Sequence, residues 1–198
     1  EQYVTSNDGL SDTAYTYSAW VYLSKNHSER GGVIIGNYES GGIPCVSFEI
    51  HTSGAPRFYQ IDSNNKITDV VFSNVDIRSG EWTHLVYSVS DRVVCYVNGV
   101  KVGERSIGAL DEAAISKPFA LGGDFRSGNA QNFKGRIREV TLLNKNLTDD
   151  EVNLLYSGSY ESLNNNIIAN YDLKTAVVNK DIKDNDEIAT KLLDTKKI

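Results

Sequence analysis

Two groups of side chains in this 198-residue chain could do chemistry on a bound molecule. The first is Glu49, His51, Arg57 and Tyr59. Cys45–His51 alternates, with Val46, Phe48 and Ile50 on one face and Ser47, Glu49 and His51 on the other. Ser53-Gly54 turns the chain, and Arg57–Ile61 returns as a partner strand. The four residues therefore fall together on a strand pair. The second group is Tyr38, Glu39, Asp124, Phe125, Arg126 and Asn129, carried by two glycine-containing loops. Flat amphipathic rings beside groups that form paired hydrogen bonds suit a polar ring-shaped ligand such as a sugar. The same residues also have a plainer use. Glu49 with Arg57 makes a cross-strand ion pair on a solvated face, and Asp124 with Asn129 shapes a glycine loop.

Other chemistries lack their residues. No G-x-S-x-G elbow, Walker loop or G-x-G-x-x-G turn occurs. Glycosidic cleavage needs two carboxylates across one bond, roughly 5 Å apart or wider, and Cys45–His51 offers only Glu49. No catalytic residue is expected. Two cysteines and three scattered histidines (His27, His51, His84) form no zinc pattern. Cys45 and Cys95 read either as two small buried hydrophobes or as one bridge between strands. Net charge is −6, with 20 basic and 26 acidic side chains, which argues against a nucleic-acid partner. No apolar run approaches the length of about 18 residues that membrane insertion needs. The chain starts at Glu1 and contains no methionine, so we expect a piece of a longer protein.

The elements that must position these groups are short strands. Thr16–Leu23 sets Tyr17, Ala19, Val21 and Leu23 against Thr16, Ser18, Trp20 and Tyr22, and a lone strand tryptophan such as Trp20 is expected to pack inward. Gly80–Gly103 reads as strand, tight connection, strand, Asn98-Gly99 turn of type I′ and return strand. Its Trp82, Tyr87 and Tyr96 are expected in the core. Thr148-Asp149-Asp150-Glu151 is a capping box opening a helix over Asp149–Tyr156, with Gly158 as its stop. Ile167–Leu173 is the last clear strand, after which Lys and Asp become frequent. About a dozen short strands with regularly spaced turns and one late helix predict an all-β sandwich or barrel.

The order of motifs YSAWVYL, GEWTHLVYSVS, YVNGVKVG, FALGGD and FKGRIREVTLLNKNLTDDEV resembles the laminin-G-like, concanavalin A-like lectin domain of bacterial secreted proteins. The resemblance covers roughly Gln2–Leu173. It implies a two-sheet antiparallel jelly-roll sandwich over residues 1–173. Residues 174–198 then either complete the sandwich edge beside the N-terminal strand or start a following module. Retaining hydrolases of this fold place their acids as E-x-D-x-x-E, which is absent here. The resemblance therefore implies a non-catalytic carbohydrate-binding module, extracellular or on the cell surface, joined to neighbouring modules of a parent protein. An adhesion or spacer domain that meets a cell-surface protein rather than a glycan is the alternative. Many such domains hold a structural calcium, for which the Asp184–Glu187 run (Asp184, Asp186) and Asn7–Gly9 are the oxygen-rich candidates, each equally readable as a solvated turn.

Overall fold

Strand β1 (Tyr15–Tyr22) runs between β6 (Trp82–Val89) and β10 (Arg136–Leu143), and its alternation divides an inner surface from an outer one. The structure, a computed structural model, describes residues 14–27, 31–39, 41–108, 111–125 and 131–173. Within these, β11 (Ile167–Tyr171), β10, β1, β6, β7 (Arg92–Val97) and β8 (Val100–Ser106) form a six-stranded antiparallel sheet in that order. A five-stranded antiparallel sheet has the order β5 (Ile67–Val71), β4 (Pro56–Ile61), β3 (Cys45–Ile50), β2 (Gly32–Gly36) and β9 (Ala120–Leu121). This is the expected concanavalin A-like jelly-roll sandwich. The expected strand at Gln2–Thr5 and the segment 174–198 lie outside the described residues.

The core fills the space between the sheets. Tyr17, Ala19 and Val21 of β1 and Leu85, Tyr87 and Val89 of β6 face Val46, Phe48 and Ile50 of β3. Phe48 is the hub: its ring centre lies 4.2 Å from that of Tyr17, 4.8 Å from Tyr87 and 5.5 Å from Phe58. The two cysteines are both buried, Cys45 on β3 and Cys95 on β7, and no disulfide joins strands of the opposite sheets. Burial pushes the Cys95 thiol well above its ordinary pKa.

Two expectations about aromatic residues fail. Trp20 and Trp82 do not enter this core. Trp20 is out of phase with Tyr17, Ala19 and Val21, and its half-buried ring lies on the outer face of the six-stranded sheet against His84, 5.1 Å away. Trp82 lies half-buried on that face too, edge-on to Tyr22 at 6.0 Å. Parity along a strand outranks the general tendency of tryptophan to be buried. Tyr87 is inside the sandwich as expected, and Tyr96 is buried in a second cluster beneath the helix.

That helix, α2 (Asp149–Ser157), follows the short α1 (Glu112–Ile115) and packs Val152 and Leu155 onto the outer face of the six-stranded sheet. Its capping box is complete: the Glu151 amide donates to the Thr148 hydroxyl at 3.4 Å, and the Thr148 amide to the Glu151 carboxylate at 3.1 Å. Gly158 ends it in the left-handed conformation, φ 75°. Ser88 ties the approach to the sheet, accepting from the Leu147 amide at 2.8 Å. Removing the cap with Thr148→Ala should cost about 1 kcal/mol, read as a lower urea midpoint at unchanged slope.

Candidate functional site

On β3 and β4 the residues that point away from the core are Ser47 and Glu49, and Arg57 and Tyr59. They are opposite each other in register, Ser47 with Tyr59 and Glu49 with Arg57, because the two strands form an antiparallel hairpin. Tyr59 in turn stands opposite Asp69 of β5. The outer face of the five-stranded sheet thus gathers a charged network. Arg57 donates from Nε and Nη2 to the two Asp69 oxygens at 2.8 and 2.7 Å, and from Nη1 to Glu49 at 2.9 Å. The Ser47 hydroxyl donates to the other Glu49 oxygen at 2.7 Å. The Asp69 hydrogen bond raises the Arg57 pKa above its ordinary value; burial opposes this and the Glu49 charge reinforces it. Arg57 also lies over the Tyr59 ring, 5.0 Å from its centre.

The network is graded in depth. The Glu49 side chain is 2 % exposed, that of Arg57 13 % and that of Asp69 43 %. Glu49 therefore cannot meet a ligand directly; it holds Arg57, which with Asp69 and Tyr59 forms the accessible layer. The expectation of Glu49 as a contact residue is corrected in this sense, and its cross-strand pairing with Arg57 is real. His51 is displaced altogether. It leaves β3 at the turn, where its Nδ1 accepts from the Ser53 amide at 3.2 Å.

Of the loop group, Asp124 reaches the same face. A Cβ at Gly36 would meet Val33 Cγ1 at 2.7 Å and Ser47 Cβ at 3.0 Å, and the Asp124 Cβ lies 3.6 Å from that point. Asp124 is buried there, over the sheet next to Ser47. The Phe125 amide donates to the Tyr38 carbonyl at 2.8 Å, so the two loops are laced together. The Tyr59 hydroxyl pKa is raised, first by burial and next by Cys45, with smaller contributions that include Tyr38. Glu39 turns back on Gly42 and pairs with Lys117 at 3.5 Å. Arg126, Asn129, Asp184 and Asp186 lie outside the described residues. Among the described residues no three His, Cys, Asp or Glu side chains converge on a point that could hold a metal ion.

Asp69 escaped the sequence reading. The run Thr68–Ser73 marks a strand, but only the register with β4 shows that its single acid falls diagonal to Arg57.

Residues 1–153 match the profile of the concanavalin A-like lectin/glucanases superfamily. The chain belongs to this superfamily. Solved structures carry the same sandwich. The receptor binding domain of botulinum neurotoxin C/D mosaic serotype is 18% identical, with TM-score 0.58, covering 76% of this concanavalin A-like chain and 37% of that one. Domain 4 of AbnA, a GH43 extracellular arabinanase from Geobacillus stearothermophilus solved with arabinotriose, is 23% identical, TM-score 0.56, covering 74% and 68%. A heptameric SAP-like pentraxin from Limulus polyphemus is 15% identical, TM-score 0.52, covering 75% and 72%. The chain spans well under two thirds of the length of the toxin chains. No curated protein matches the sequence.

Proposed function

We propose that the chain is a non-catalytic carbohydrate-binding module of an extracellular or surface protein, and that the outer face of the five-stranded sheet is its ligand face. One observation carries this reading: Tyr59, Arg57 and Asp69 form a single rigid array in which a half-exposed ring sits beside an exposed carboxylate held by a bidentate guanidinium. A sugar needs that combination, an apolar surface for its C–H face and fixed acceptors and donors for its hydroxyls. Because the arginine's charge is already met by two carboxylates, the array suits a neutral sugar. The superfamily and the arabinotriose held by the arabinanase domain support the same reading.

Titration calorimetry against neutral oligosaccharides, arabinotriose and maltotetraose among them, tests it. Tyr59→Ala should weaken binding at least tenfold, about 1.4 kcal/mol, without lowering the thermal midpoint by more than a few degrees. Asp69→Asn, which keeps the shape, should weaken it as well. If the parent binds none of the neutral panel, the reading fails. If Tyr59→Ala binds like the parent, the face is misassigned.

A further inference from the structure

The outer face of the six-stranded sheet carries a patch that takes no part in the site above. Both tryptophans of the chain are in it. Trp20 on β1 pairs across to His84 on β6 and to Arg138 on β10. A bulge makes this arrangement. Between Ser18 and Trp20 the β1–β10 register slips, and Glu139 takes φ 50°, so that Ile137 and Val140 both enter the core while Arg138 turns outward. The Arg138 guanidinium then lies between two indoles, its carbon 5.3 Å from the Trp20 ring centre and 4.4 Å from that of Trp82. Tyr156 of α2 stacks on Trp20 at 5.7 Å and 25°, and is 40% exposed. Arg136 covers Tyr22 at 5.2 Å.

Arg57 and Arg138 differ in what holds them. Arg57 has both sides of its fork filled by carboxylates. Arg138 donates no hydrogen bond to any described residue. Its nearest carboxylate, Glu139, is an ion-pair neighbour 3.5 Å from Nε, which is itself buried without a hydrogen bond. The side chain is 35% exposed. Stacking on two rings thus fixes a guanidinium whose terminal nitrogens have no described acceptor, in a protein whose net charge is −6.

We propose that this patch is a second binding site, for a saccharide whose ring bears a carboxylate. The proposal extends the carbohydrate-binding reading to a new face, and rests on that reading only for the ligand being a sugar. A pinned guanidinium with its fork open binds a carboxylate in paired hydrogen bonds at little entropic cost. The adjoining Tyr156 and Trp20 rings offer a flat apolar surface. A carboxylated pyranose presents both features on one rigid frame. An acidic peptide presents the carboxylate on a rotatable stem and brings no flat face, so it loses the stacking and more side-chain entropy.

Tryptophan fluorescence reads this patch and not the other, because Trp20 and Trp82 are the only indoles in the chain. The chain is titrated with tetragalacturonate and with sialyllactose, and with maltotetraose and lactose as neutral counterparts. At least one acidic saccharide should change the emission saturably, more weakly as salt rises, while the neutral sugars leave it unchanged. Arg138→Gln should weaken that binding at least tenfold. Tyr156→Ala, an exposed helix position that spares the sheet, should weaken it too, and Tyr59→Ala should leave it as it was. The proposal is overturned by a flat response to both acidic saccharides, by an equal response to the neutral ones, or by parent-like binding in the Tyr156→Ala chain. Loss of neutral-sugar binding in calorimetry with this response intact would remove the first reading and keep the second.

Discussion

Truncating Phe48 to alanine should destabilise the domain by about 3–5 kcal/mol, the range for large aromatic side chains removed from a packed core. For a chain of this size that is a fall in Tm of about 6–20 °C. Phe48 is 1% exposed and touches rings from both sheets: Tyr17 of β1, Tyr87 of β6 and Phe58 of β4. The neighbours are themselves held by strand register, so they cannot collapse into the vacated space, and the cavity persists. Phe48→Leu keeps most of the volume and should cost about 1.5 kcal/mol or less. Guanidinium unfolding of the three proteins measures both. A cost below about 1 kcal/mol for Phe48→Ala, near the average for any substitution, would mean that the sheets are not clamped through this ring. The effect reaches the site, because Phe48 lies between Ser47 and Glu49 on β3. Its ring holds the strand from below while Glu49, itself held by Ser47, holds Arg57 from above.

The fold was legible for a local reason. Alternation, the Asn98-Gly99 turn and the Thr148 capping box each depend on a few adjacent residues, and each forms as read: Asn98 and Gly99 take φ 51° and 79°, and Thr148 closes its box with Glu151. The site was legible only in part, because it depends on pairing between distant strands. Glu49 and Arg57 could be placed together from their hairpin alone, whereas Asp69 joins them through the β4–β5 register. How deep each residue lies was not readable at all. The burial of Glu49 is a property of the face around it, where Ser47 and Arg57 close over its two oxygens. Trp20 shows the converse. Its alternation with Tyr17, Ala19 and Val21 puts it on the other side of the strand, and that local signal outranks the general preference of tryptophan for burial. Along β10 no simple alternation could succeed, since the Glu139 bulge changes phase midway, returning Val140 to the core after Arg138 has faced Trp20.

Acidification from pH 7 to pH 4 should remove about 3 kcal/mol of stability through His84 alone. His84 is 2% exposed, between Trp20 and Tyr156, with Nε2 2.8 Å from the Ser18 hydroxyl and Nδ1 buried without a hydrogen bond. A proton on Nε2, donated to Ser18, leaves only a lone pair unmet at Nδ1; the opposite tautomer would bury an unmet N–H. Protonating both nitrogens would bury a charge, and burial accordingly lowers the pKa to about 4. The unfolded chain has the ordinary histidine pKa of about 6.5. Between these values the unfolded state binds a proton that the folded state refuses, so stability is complete above pH 6.5 and declines as pH falls toward 4. The carboxylates add their own pH dependence, and the His84 part is isolated as the difference between the parent and His84→Gln. Urea unfolding at pH 7.5 and 4.5 should show the variant losing much less than the parent over that interval. Parallel losses in the two proteins would show that His84 takes up its proton in the folded state. With the imidazole kept neutral under Trp20 and Tyr156, the positive charge beside those rings comes from Arg136 and Arg138, so a carboxylated ring that binds there at pH 7 has to be held by guanidinium.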